Sequence, residues 1–139
     1  MEASKKVVDR KVILSTIWIF YLFNILYADV LNMMGEMPTN SANGVELIES
    51  LLSPEMLLGA AIFLETAMVM IVLSRLLKYR INRCANIIIG VLHTLGVTGS
   101  LFVGTPTIFY IFFAVVEIST SLFIVWYAWT WTQSLSTSE

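Results

Sequence analysis

The stretch MLLGAAIFLETAMVMIVLS, residues 56–74, is apolar along its whole length except for small hydroxyl residues and one carboxylate, Glu65. No basic residue lies within nine positions of that carboxylate on either side. A hydrocarbon core about 30 Å thick is crossed by roughly 20 apolar residues in a helix, so the run predicts a membrane span. An ionisable side chain at such depth is costly and is tolerated mainly where it faces protein, a partner or water. Three further runs repeat the pattern: Val12 to Leu31 with Asp29, Cys84 to Val103 with His93, and Ile108 to Trp131 with Glu117.

The whole chain fits that reading. It has 139 residues, 58% hydrophobic and 13% charged, with a mean hydropathy of +0.82, outside the soluble globular range. The fold expected is all-α: one membrane domain over residues 1–139, a four-helix bundle with spans at about 12–34, 54–76, 84–103 and 106–131. The eight basic residues fall in two groups, Lys5, Lys6, Arg10 and Lys11 before the first span and Arg75, Lys78, Arg80 and Arg83 between the second and third. By the positive-inside rule both termini and the second connection face the cytoplasm. The chain therefore reads as a multi-pass protein of the inner (plasma) membrane. The first apolar stretch is too long for a cleaved signal and no small-residue cleavage site follows it, so it reads as a retained helix. Net charge is −2 and no basic soluble surface exists, so nucleic acid is excluded as a partner. Cys84 is the only cysteine, which rules out an internal disulfide.

Local signals fix the ends of the elements. Ser53-Pro54-Glu55 reads as N-cap, first-turn proline and first-turn acid, and Gly104-Thr105-Pro106 follows the same logic before the fourth span. The segment VELIESLL, residues 45–52, has Val45, Ile48, Leu51 and Leu52 opposite Glu46 and Glu49, which predicts a short amphipathic helix on the outer surface. Gly90, Gly96 and Gly99 mark the third span as a closely packed helix, and an exposed pair such as Gly90 with Gly99 would serve a homodimer. On that span Asn86, Ile89, His93, Gly96 and Ser100 follow one stripe. Trp126, Tyr127, Trp129 and Trp131 form an aromatic belt at the inner interface.

Pro54 and Glu65 are eleven residues apart, as are Pro106 and Glu117. Each proline starts an inward-running helix, so the two carboxylates reach the same depth, about 16 Å along the axis. His93 arrives at that level from the inner end, while Asp29 stays nearer the outer surface. The equal spacing also hints at a duplicated helix pair, one and two against three and four. Two carboxylates and an imidazole sharing a level would form a proton-exchanging cluster of the kind found in relays, cation sites and intramembrane acid–base catalysts.

Several functions follow from such a cluster. In the first, a cavity opens outward, with Glu65, His93 and Glu117 as its floor, Asp29 as its upper wall, and Tyr21, Asn24, Tyr110 and Phe113 as further lining. It takes a small lipophilic or cationic molecule, with membrane lipids around it. The second is a proton-coupled transporter acting as a homodimer, and the third is an intramembrane isomerase using Glu and His as its acid–base pair. The fourth is an assembly subunit in which the polar groups only hold helices together. No Glu-x-x-His or His-x-x-x-His spacing supports a metal site, and no nucleotide, phosphate or haem motif is present, so no cofactor is expected.

The stretches KVILSTIWIFYLFNILYADVL (11–31), LSRLLKYRINRCANIIIG (73–90) and GSLFVGTPTIFYIFFAVVEISTSLFIVWYAW (99–129) resemble a family of small prokaryotic four-span membrane proteins of unknown function. That resemblance covers nearly everything except the outer loop and the termini and implies no activity. The architecture is also loosely similar to the DoxX-like and EXPERA-like membrane proteins. This second resemblance implies a lipophilic ligand and assigns no residue a role.

Overall fold

The Ser53 hydroxyl accepts from the backbone N–H of Met56 at 3.3 Å, Pro54 occupies the first helical turn and Glu55 adds a first-turn charge. The helix started there runs without interruption to Leu76. The structure, a computed structural model, describes residues 9–34, 53–103 and 106–132. The expected amphipathic helix at 45–52 lies outside the described residues. Four helices make up the described chain: α1 (Arg10–Met34), α2 (Pro54–Leu76), α3 (Tyr79–Ser100) and α4 (Ile108–Trp129).

Two expected boundaries shift. The basic stretch between the second and third spans is not a loop. Only Leu77 and Lys78, both extended, separate α2 from α3, and Arg80 and Arg83 already belong to α3. Arg and Lys are good helix formers, so charge ends an apolar run without ending a helix. At the other end, α4 starts two residues beyond Pro106, with Thr107 as an N-cap whose side chain makes no capping bond.

The helices pack in a ring. α1 lies against α2 and α4, and α3 lies against α4 closely and against α2 only sparsely. Neighbours are antiparallel, as paired contacts show. Arg10 meets Tyr127 while Asn24 meets Phe113 across α1 and α4, and Ser74 meets Asn82 while Thr66 meets His93 across α2 and α3. The α3–α4 seam is close because Gly90 is buried there. A Cβ at that position would stand 2.7 Å from the Val125 Cγ2 atom. Gly99, by contrast, is exposed with nothing within 4 Å of such a Cβ. The two glycines therefore do not form one exposed face.

Leu14, Trp18 and Tyr21 from α1, Ala67 and Met70 from α2, Val97 from α3, and Ala114 and Ile124 from α4 form the buried core. Much of the outer surface is apolar, including Phe20, Leu58, Ile88 and Phe112. Such an exterior matches hydrocarbon rather than water. α1, α2 and α4 are long and apolar enough to cross a membrane. α3 falls short of that apolarity because its interior face carries Asn82, Asn86 and His93, all fully buried. The basic residues of the described chain gather at one end of the ring, where α1 and α3 begin and α2 ends.

Candidate functional site

A polar axis runs through the ring, built by side chains that reach across its diagonal from α1 to α3. Nearest the basic end, the Ser15 hydroxyl donates to the Ile71 carbonyl at 2.8 Å and accepts from Arg75 Nε at 3.0 Å. One turn further in, Trp18 Nε1 donates to Asn86 Oδ1 at 2.8 Å, and the Ser74 hydroxyl donates to the same oxygen at 3.3 Å. The Asn86 amide donates to Asn82 Oδ1 at 2.7 Å, and the Asn82 amide donates to the Ser74 carbonyl at 2.6 Å. Ser15, Trp18, Ser74, Asn82 and Asn86 are all fully buried. Among the described residues every buried side-chain nitrogen and oxygen has a partner, as a low-dielectric interior requires. Of these residues the stripe read from the sequence contains only Asn86. Asn82 carries the same signal, one turn before Asn86 on the face that also buries Gly90 and His93.

His93 lies next along the axis. Its Nδ1 is 3.0 Å from the Tyr21 hydroxyl and its Nε2 is 2.9 Å from the Thr66 hydroxyl. The Trp18 and Tyr21 rings meet the imidazole edge-on, at centroid distances of 5.4 and 5.2 Å, and the Phe63 ring covers it at 4.0 Å. Phe63 is held in turn by Gly96, where a Cβ would stand 2.6 Å from the ring. These side chains fill the centre of the ring, so the expected cavity floored by three titratable groups is not what they build.

Both imidazole nitrogens are engaged by hydroxyls and not by a carboxylate. Glu117, buried on α4, accepts from the Asn24 amide at 3.2 Å, and the same amide donates to the Phe113 carbonyl at 3.3 Å. Phe113 thus contributes its backbone. Glu65 is exposed and lines a cleft of about 470 Å³ between α2 and α3, with Ile62, Thr66, Val69, Leu73 and Ile88 among its walls. The two carboxylates leave the axis in different directions, Glu117 toward Asn24 of α1 and Glu65 toward the cleft. No set of three His, Cys, Asp or Glu residues in the described chain is grouped to hold a metal. Asp29 is exposed near the far end of α1, and the Tyr110 hydroxyl donates to Ser100 Oγ at 2.7 Å, away from the three groups.

At the basic end, α4 finishes without a basic residue in its own last turn. Its carbonyls are met from neighbouring helices. Arg10 Nη1 donates to the Tyr127 carbonyl at 3.3 Å, with the guanidinium 4.8 Å above that ring. Arg83 Nη2 donates to the Trp129 carbonyl at 3.0 Å, and the Tyr79 hydroxyl donates to the Trp131 carbonyl. Cations at a helix C-terminus oppose its dipole and satisfy its free carbonyls.

Fold and axis together define an all-α protein with an apolar exterior, a polar interior and three helices able to cross a membrane. The chain belongs to a family of unknown function (DUF6326), whose model matches residues 1–138. Neither curated proteins nor solved structures give a match. The looser architectural likeness to DoxX-like and EXPERA-like proteins thus gains no support from these comparisons.

Proposed function

We propose that the protein is an integral membrane bundle that binds a small lipophilic cation in the cleft between α2 and α3, with Glu65 as the counter-charge. The basic end lies in the cytoplasm of a prokaryotic cell, and both termini with it. The observation that carries the reading is the position of Glu65. It is the one titratable group on an otherwise apolar cleft wall, midway along a helix apolar enough to cross a membrane. An ionised carboxylate facing lipid there is strongly disfavoured, and a bound cation with an apolar body removes that cost. The cleft volume of about 470 Å³ falls within the range of small-molecule sites, roughly 300–1,000 Å³.

Thermal unfolding in detergent with and without tetraphenylphosphonium tests the reading. Wild-type protein gains stability with concentration, by about 2.7 kcal/mol at a hundred times Kd. Glu65→Gln leaves the fold intact, since the side chain is exposed, and abolishes the gain. A wild type that the cation does not stabilise, or a Glu65→Gln variant that it stabilises equally, removes the proposal.

A second reading rests on the sparse covering of α2, whose apolar window is 11% buried against 28% for α1 and 22% for α4. A second copy of the chain would then close the cleft and set Glu65 in a dimer interface. Disulfide trapping at Ile62→Cys in a Cys84→Ser background separates the two, because only the dimer cross-links.

A further inference from the structure

The hydrogen bonds around His93 have a direction that can be assigned. The Thr66 hydroxyl donates to the Phe63 carbonyl at 2.7 Å, and a carbonyl can only accept. Its single hydrogen is therefore engaged, and toward His93 its oxygen accepts from Nε2–H. Neutral imidazole carries one N–H, so Nδ1 is bare and accepts from the Tyr21 hydroxyl. The tautomer is thus an assignment from the bonding network. Tyr21, His93 and Thr66 form a row with donors all running one way: Tyr21 gives to His93, His93 gives to Thr66, and Thr66 gives to the Phe63 carbonyl.

The two ends of that row lie next to residues that hold or neighbour the two carboxylates. Thr66 lines the α2–α3 cleft beside Glu65. At the other end, Tyr21 lies one helical turn from Asn24, whose amide holds Glu117. Residues three apart on a helix are neighbours, at about 5–6 Å between Cβ atoms. Of the titratable groups on the neighbouring helices, Tyr21 on α1 touches His93, Glu65 on α2 follows Phe63 and precedes Thr66 in the chain, and Glu117 on α4 lies beyond Asn24, with Asp29 on α1 acting on it in turn. The Trp18 and Phe63 rings cover the imidazole.

We propose that Tyr21, His93 and Thr66 are a proton path joining Glu117 to Glu65, through which a cation entering the cleft displaces a proton across the bundle. The cation rests on the reading of the cleft given above, whereas the path does not. In the outward transfer, protonated Glu117 gives its proton to the Tyr21 oxygen through one bridging water. Tyr21 passes its own to Nδ1, Nε2 passes its proton to Thr66, and the Thr66 hydroxyl turns from the Phe63 carbonyl to give its hydrogen to the Glu65 carboxylate. Glu117 ends ionised, Glu65 neutral, and the imidazole in its other tautomer. Cation entry at Glu65 runs every step in reverse and restores the starting tautomer, so one proton moves for each cation bound.

Infrared spectroscopy of the full chain in lipid nanodiscs tests the path. The protonated Glu117 band is identified by its loss in Glu117→Gln, and its shift is timed after exchange from water into deuterium oxide. The path predicts that Tyr21→Phe and Thr66→Val each slow this exchange by at least roughly tenfold, while Thr66→Ser keeps the wild-type rate. Equal rates in wild type, Tyr21→Phe and Thr66→Val overturn the proposal. So does equal slowing in Thr66→Ser and Thr66→Val, which would mean distortion instead of a lost hydroxyl, and so does the absence of a Glu117 band at every pH. Tetraphenylphosphonium should then raise the Glu117 band in wild type and leave it unchanged in Tyr21→Phe. Slowed exchange without a cation response keeps the path and removes the ligand. A cation response that persists in Tyr21→Phe overturns the path and keeps the ligand.

Discussion

Replacing Asn86 with leucine removes the centre of the inner polar axis at nearly constant volume. Asn86 takes part in four side-chain hydrogen bonds, accepting from Trp18 and Ser74 and donating to the carbonyl and the side-chain oxygen of Asn82. Hydrogen bonds between helices in a membrane contribute about 0.6 kcal/mol each on average. Leaving a buried donor without a partner adds about 1–3 kcal/mol. The fully buried Trp18 indole N–H is such a donor. The two estimates together give a loss of about 2–4 kcal/mol. Titration with sodium dodecyl sulfate from a mild detergent, followed by tryptophan fluorescence, measures it. The double variant Trp18→Phe/Asn86→Leu supplies the coupling, which should be about 0.5–1.7 kcal/mol because Asn86→Leu orphans the Trp18 N–H that Trp18→Phe removes. An Asn86→Leu cost below about 0.5 kcal/mol, the level of an ordinary surface change, would refute the reasoning. So would a coupling of zero.

The glycines make opposite predictions in the same assay. Gly90→Ala should cost about 1–3 kcal/mol, because its Cβ meets Val125 at 2.7 Å and the Ser121 carbonyl at 3.4 Å. Gly59→Ala, with nothing within 4 Å of the new Cβ, should instead gain up to about 1 kcal/mol from helix propensity. For the orientation, Lys78→Cys in a Cys84→Ser background should react with a membrane-impermeant maleimide in inverted vesicles but not in intact cells. Labelling from the outside would reverse the assigned topology.

What the sequence made legible was depth. Counting from Pro54 puts Glu65 midway along its helix, where it lies in α2. The Ser53 cap was readable as well, because its chemistry is local. What it could not supply was the direction each group faces. Glu65 and Glu117 are equivalent by spacing and by residue type, yet one is exposed on a cleft and the other buried against Asn24. That difference is set by which helices are neighbours around the ring. The partners of His93 escaped for the same reason, since Tyr21 and Thr66 lie on other helices. Arg80 and Arg83 misled in another way. Their charges ended the apolar run where a hydropathy reading sees a loop, although the helix had already begun at Tyr79.

The uneven packing of the ring has a consequence for assembly. α1 with α2 and α3 with α4 form two well-packed hairpins, while the α2 and α3 backbones approach each other less closely and meet through side chains such as Thr66 with His93 and Ser74 with Asn86. Each hairpin can close as it leaves the ribosome, before the other exists. Union then depends on contacts that no hairpin makes alone, namely Trp18 with Asn86, Tyr21 with His93, Asn24 with Glu117 and Arg10 with Tyr127. In that sense the protein is a heterodimer written on a single strand. Its two halves, separated between Leu77 and Lys78, are accordingly expected to assemble when co-expressed as independent chains, which co-purification of one half with the tagged other would show.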